Sequence, residues 1–179
     1  MVTEVVPLKD AIIKKMVKKA FKNWHYTFKD DFNENTKLSE ISLSTIKILA
    51  VCRDDTSFYL YDLIMNLRNL GSGLDFYQLG GDERLKVLDV YLFILDRVRF
   101  EAMKRLGWLK SYPGEDIPIV EMVLRYDEIH SSIERMIPIL SEEHEAYEEF
   151  LRASDYDREG IVRKLIPNMI RLFEKGKSI

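Results

Sequence analysis

The chain has 179 residues, of which 46% are hydrophobic and 32% are charged, and it contains a single cysteine. This balance is typical of one globular domain and excludes a largely disordered chain or a disulfide-stabilised fold. A formal net charge of −3 argues against a globally basic nucleic-acid-binding protein. No apolar run is long enough to span a bilayer and the first residues lack a secretory pattern, so we expect a cytoplasmic protein with no transmembrane segment.

Glycine and proline are sparse, and the segments between them have the apolar periodicity of helices. The first helix is predicted over 7–28, with a proline in its first turn, and a polar loop follows at 30–37. Ser39 is the predicted N-cap of a second helix, which extends to about Val51. A third helix is predicted over 58–70, because a glycine follows its last apolar residue.

The longest predicted helix, about 82–106, is apolar around most of its circumference. Residues 90–95 form an uninterrupted apolar run, which alone could be a buried strand, but acid–base pairs at four-residue spacing on either side favour a helix. A helix of this kind is central, and other helices cover it.

Beyond this helix a loop is predicted at 110–117, and further helices begin at Pro118, at Ser141 and near Asp155. No Asn-Gly or Asp-Gly pair lies between alternating apolar residues, so no β-hairpin is predicted. We therefore predict an all-α fold, in which residues 1–179 form a single domain of six to eight helices around the long central helix.

Charge is distributed unevenly along the chain. Residues 1–29 contain seven lysines and two acidic residues, whereas residues 115–159 contain 14 acidic residues and four arginines. The predicted binding residues lie on or next to the first helix, opposite its apolar side, and are called the lysine face: Lys14, Lys15, Lys18, Lys22 and Lys29. A basic amphipathic helix can bind nucleic acid, an anionic membrane or an acidic protein surface, although such a face is most often simply solvated. The acidic residues of 142–149 are a candidate partner within the chain.

The composition also bears on the temperature at which the source organism grows, because lysine, arginine and glutamate are plentiful and glutamine occurs once, at Gln78. Scarce thermolabile side chains together with many ion-pairing ones make a thermophile-like composition.

Di-metal sites in helical bundles use two Glu-x-x-His motifs and two further glutamates. Asp127 and His130 form one Asp-x-x-His motif, and Glu134 follows one helical turn later. The second motif is missing, because Ser141 precedes His144 at the same spacing. His130, Asp127 and Glu134 are therefore the candidate metal ligands, but ion pairing on a helix surface is the favoured interpretation, and no metal or cofactor is predicted.

One short segment resembles a family motif. Four residues have the spacing of the Asp-His-Ile-x-x-Glu-Leu-x-Phe motif of TorD-like chaperones: Asp116, Glu121, Met122 and Leu124. The chain differs from the motif at Ile117 and Pro118, where the family has histidine and isoleucine. The resemblance implies an all-helical protein of similar length that holds molybdoenzyme precursors before export, and we assign no family on this segment alone.

The sequence favours a non-enzymatic protein-interaction or assembly subunit, of which a chaperone is a specific version. Such a subunit binds another protein, or a second copy of itself, through an apolar groove or a charged helix face. Two alternatives stay open: a helical-bundle enzyme that depends on a metal or small ligand, and a nucleic-acid-binding accessory subunit that uses the basic first helix. Cys52 and the three histidines lie in no recognisable nucleophile motif, which argues against nucleophilic catalysis.

Overall fold

A computed structural model describes residues 8–176 of the chain and is 69% helical, with one small two-stranded sheet. The helices are α1 (Leu8–Ala20), α2 (Lys22–Thr27), α3 (Leu43–Val51), α4 (Asp54–Leu67), α5 (Gly81–Arg105), α6 (Ile119–Leu124), α7 (Tyr126–Glu134), α8 (Tyr147–Arg152) and α9 (Asp155–Glu174). Short 3₁₀ helices lie at Leu38–Glu40 and Gly73–Gln78. The predicted mostly α-helical fold is confirmed. Among the described helices, none combines the length and the apolar character that crossing a membrane requires.

The predicted first helix is divided in the structure. α1 ends at Ala20 and α2 begins at Lys22, which leaves Phe21 between them. Phe21 is fully buried, with its ring centroid 5.4 Å from that of Trp24 and stacked 5.2 Å from that of Phe32. The packing of these aromatic rings accounts for the break, which helical periodicity alone does not reveal.

The N-cap of α3 is Ser42, whereas the predicted cap, Ser39, lies within a 3₁₀ helix. Ser42 Oγ accepts a hydrogen bond from the Thr45 amide at 3.3 Å, and the Asp30 carboxylate accepts from the Ser42 and Thr45 hydroxyls at 2.8 and 2.6 Å. Burial raises the pKa of Asp30, but these hydrogen bonds outweigh it and leave the pKa below its ordinary value. The ionised carboxylate therefore ties the preceding loop to the start of α3.

The long helix α5 contacts α3, α4, α6, α9 and the first β-strand. On its interior side Val90, Ile94 and Val98 are fully buried. The predicted coverage by other helices is incomplete, because Leu85 and Leu92 are 60% and 56% exposed. The first half of α5 is therefore part of the protein surface, and its second half is enclosed.

Two short strands, β1 (Leu109–Ser111) and β2 (Ile139–Leu140), form an antiparallel pair. Leu109 is paired with Leu140, and the register is irregular at the other end of β1. The prediction of a loop over 110–117 is therefore wrong for its first two residues, which belong to β1. Strands this short contain too few residues for an alternating pattern to be detected.

A buried carboxylate on α5 anchors the segment that follows β1. Glu101 is 3% exposed and accepts hydrogen bonds from Arg105 Nε at 2.6 Å and from the Tyr112 hydroxyl at 2.9 Å. Arg105 also donates to the carbonyl of Leu38 at 2.9 Å. Burial and the Glu101 carboxylate raise the pKa of Tyr112, so its hydroxyl stays a donor at neutral pH.

We expect the Glu101–Tyr112 hydrogen bond to stabilise the fold measurably. Tyr112→Phe should lower the free energy of unfolding by about 2 kcal/mol, because it leaves a buried charged acceptor with one partner fewer. Glu101→Gln should lower the free energy of unfolding by a similar amount. The double variant should lower it by less than the sum of the two single effects, because both residues belong to one hydrogen bond. Urea unfolding measures all three, with Tyr77→Phe at an exposed position as the control. A Tyr112→Phe variant as stable as the parent would contradict this account.

Candidate functional site

The lysine face is fully exposed to solvent. Lys14, Lys15 and Lys18 lie on α1, Lys22 begins α2, and Lys29 lies in the turn after α2. Within residues 8–176 none of these side chains forms an ion pair with an acidic residue. Among the described residues, this face is therefore exposed to solvent and has no acidic partner.

The acidic stretch 142–149 pairs elsewhere. Glu142 lies 3.6 Å from Lys110, and Glu148 lies 3.4 Å from Arg152. The internal docking of the lysine face onto this stretch, which the sequence suggested, is absent from the ion pairs of the described residues.

Two of the three candidate metal ligands have partners of their own. Asp127 is paired with Arg68 at 3.3 Å, and His130 Nδ1 lies 2.7 Å from the carbonyl oxygen of Tyr126, on whose ring the imidazole stacks. Glu134 lines a cavity described below. In the part of the chain that the structure describes, no group of three or more histidine, cysteine or acidic side chains is arranged to hold a metal ion.

A groove with a volume of about 400 Å³ lies between the loop after β1 and the segment that joins α7 to β2. Five residues form its apolar wall, called here the isoleucine groove: Ile117, Ile133, Met136, Ile137 and Ile139. Met136 and Ile139 are 62% and 48% exposed, whereas Ile133 is buried. Glu115 and Asp116 also line the groove, and Glu115 is paired with Lys104.

A tight turn at Gly114 brings the loop onto the interior of the domain. Gly114 has a φ of +84°, in the left-handed region that glycine adopts without strain, and its carbonyl accepts a hydrogen bond from the Ile117 amide at 3.1 Å. A Cβ atom at Gly114 would lie 3.6 Å from Ile133 and 3.9 Å from Arg97 Cδ. The loop therefore rests directly on the groove wall and on an arginine of α5.

A second cavity, of about 260 Å³, adjoins the isoleucine groove, because Met136 lines both. Besides Met136 and Pro138, its lining residues come from α5, α7 and α9 and define the arginine cavity: Arg97, Phe100, Glu134, Glu159 and Arg163. The two hollows thus lie side by side, one with an apolar wall and the other with a charged lining.

Arg97 is 3% exposed, yet its hydrogen bonding is incomplete. Nη1 donates to the carbonyl of Pro113 at 3.4 Å, a long hydrogen bond, and Nε is buried with no acceptor among the described residues. The guanidinium stacks on the Phe93 and Phe100 rings, at 4.6 and 5.3 Å from their centroids. The cation–π contacts offset part of the free energy that burial of the guanidinium costs. A buried donor without an acceptor still lowers the stability of a fold by about 1–3 kcal/mol.

The carboxylates around Arg97 are largely engaged with another cation. Arg163 is paired with Asp96 at 3.0 Å and with Glu159 at 2.8 Å. Burial lowers the pKa of Arg97, and the charges of Asp96 and Glu134 oppose this effect without forming an ion pair with it. Arg97 is therefore a buried cation with hydrogen-bonding capacity left over.

Sequence reasoning missed Arg97, although the pattern contains a signal for it. Val90, Ile94, Arg97 and Glu101 share one side of α5, at spacings of four, three and four residues. Two charged residues thus occupy positions that the apolar periodicity assigns to the interior. The groove has no such signal, because its walls come from two segments that no local pattern connects.

Comparison of the chain with protein-family models, with curated proteins and with solved structures finds no match in any of the three. The resemblance to TorD-like chaperones therefore rests on its own residues. In the structure Asp116 lines the isoleucine groove, Glu121 is paired with Arg125, and Met122 is buried.

We expect charge reversal on the lysine face to leave the fold unchanged. The triple variant Lys14→Glu, Lys18→Glu, Lys22→Glu lowers the formal net charge of −3 by six, two per substitution. Because these side chains are exposed and unpaired among the described residues, its melting temperature should match that of the parent. Neither protein should bind DNA or RNA in a filter-binding assay.

The matched control replaces the same three lysines with arginine. Nucleic-acid binding that falls steeply with salt, persists in the arginine variant and is lost in the glutamate variant would instead establish this face as a nucleic-acid interface.

Proposed function

We propose that this protein is a non-enzymatic interaction or assembly subunit that docks an apolar segment of another protein in the isoleucine groove. The observation that carries the proposal is the apolar wall itself, where Met136 and Ile139 are exposed beside Ile117 and Ile137. Adjoining exposed apolar side chains mark interaction sites, whereas isolated ones are ordinary surface.

The shape of the groove favours a protein segment over a small molecule. Pockets for small ligands enclose most of the ligand surface, whereas this groove leaves Met136 and Ile139 half in solvent. Open apolar grooves are the usual docking sites for helices and extended peptides. When a partner covers the exposed part of either side chain, the apolar surface removed from water contributes about 1 kcal/mol to the binding free energy.

The surrounding charge specifies the partner further. Most residues of the groove lie within residues 115–159, which contain 14 acidic residues against four arginines, and Glu134 and Glu159 of the arginine cavity belong to the same stretch. Asp116 and Glu134 present their carboxylates there with no ion-pair partner among the described residues. An apolar segment flanked by lysine or arginine is therefore the complementary partner.

Defined peptides test this function. A labelled peptide with a leucine- and isoleucine-rich centre and lysine flanks should bind the protein in fluorescence anisotropy. Met136→Glu should weaken this binding about tenfold or more, because it places a charge in the apolar contact. Leu85→Glu is the matched control, since Leu85 is equally exposed but lines neither hollow, and it should bind as the parent does.

Two results would contradict the proposal. If glutamate-flanked peptides bind as well as lysine-flanked ones, the acidic surroundings do not select the partner. If the protein forms a dimer in sedimentation experiments and Met136→Glu dissociates it, the groove is occupied by a second copy of this chain.

A further inference from the structure

Among the described residues, Arg97 Nε is the one buried side-chain nitrogen or oxygen atom that has no hydrogen-bond partner. Nη1 of the same guanidinium reaches one carbonyl acceptor, that of Pro113, at 3.4 Å. Buried donors in folded proteins nearly always have an acceptor, so this exception calls for a physical explanation. Arg97 lines the arginine cavity, which opens beside the isoleucine groove at Met136.

Three carboxylates of the chain lie near this guanidinium without satisfying it. Asp96 and Glu159 are both paired with Arg163, and Glu134 influences Arg97 through space without an ion pair. The missing acceptor is therefore not supplied by the described part of the chain in this conformation.

The charge balance of the cavity identifies the kind of acceptor that fits. Two cations, Arg97 and Arg163, and two carboxylates, those of Glu134 and Glu159, line the cavity, and a third carboxylate, that of Asp96, is bound to Arg163. A carboxylate or phosphate ligand would add negative charge where negative charge already predominates. A neutral acceptor avoids this repulsion, and the strongest neutral acceptor in a peptide is its main-chain carbonyl oxygen.

We infer that Arg97 donates a hydrogen bond to a main-chain carbonyl oxygen of the docked segment, which lies extended across the arginine cavity with its apolar side chains in the isoleucine groove. This inference rests on the function proposed above. An extended segment offers such an oxygen at every residue, whereas a helix uses all but its last four carbonyl oxygens within the helix. Arg97 thereby sets the register of the segment, while the groove supplies the apolar contact.

A thioamide scan tests the inference on the unaltered protein. In the lysine-flanked peptide, one carbonyl oxygen at a time is replaced by sulfur, which accepts hydrogen bonds more weakly. At one position the replacement should weaken binding to the parent protein about tenfold, and at the others it should have little effect. Arg97→Met should remove the sensitivity at that position, and Arg152→Met, at an exposed position outside both hollows, is the control that keeps it. Because the scan uses the parent protein, it remains decisive if Arg97→Met fails to fold.

The outcomes separate the two proposals. If the unmodified peptide does not bind, the proposed function fails. If it binds and every thioamide peptide binds equally well, the groove is in use and the role of Arg97 is overturned. In an alternative arrangement, the carboxylate of Glu134 accepts the hydrogen bond from Arg97 in solution. We expect the melting temperature of Glu134→Gln to equal that of the parent, and a clear fall would establish this alternative.

Discussion

The burial of two charged side chains, one turn apart on the central helix, is the constraint on which the rest of this structure depends. Glu101 and Arg97 lie on the interior side of α5, where each must find hydrogen-bond partners or destabilise the fold. Glu101 is satisfied by Arg105 and Tyr112, and Arg97 reaches the Pro113 carbonyl. Both therefore hold the segment that follows β1 against α5.

That segment forms one wall of the isoleucine groove, so the groove depends on the buried charges. The opposite wall comes from the end of α7 and from β2, whose pairing with β1 joins the two walls at one end. The satisfied carboxylate stabilises this arrangement, and the unsatisfied guanidinium beside it provides a donor for a ligand. Structural and binding roles are thus divided between neighbouring turns of one helix.

Basic and acidic side chains also lie in different regions of the molecule. The lysine face lies on α1, at the start of α2 and in the turn after α2, and it is exposed, whereas most residues of the groove lie in the acidic third of the chain. Because no ion pair joins the two regions among the described residues, each is free to meet a different environment. The exposed apolar residues of the groove lie in the acidic region, which is why the proposed docking site is placed there.

The sequence by itself determined the helical fold, the extent of the long helix to within one residue at each end, and the separation of basic from acidic segments. These features are local, because helical periodicity and charge are properties of neighbouring residues. Tertiary structure alone decided the break at Phe21, the cap at Ser42, the strand pair and the burial of Arg97. Each of these depends on contacts between residues distant in the chain, such as the aromatic packing of Phe21 on Phe32 and the pairing of β1 with β2.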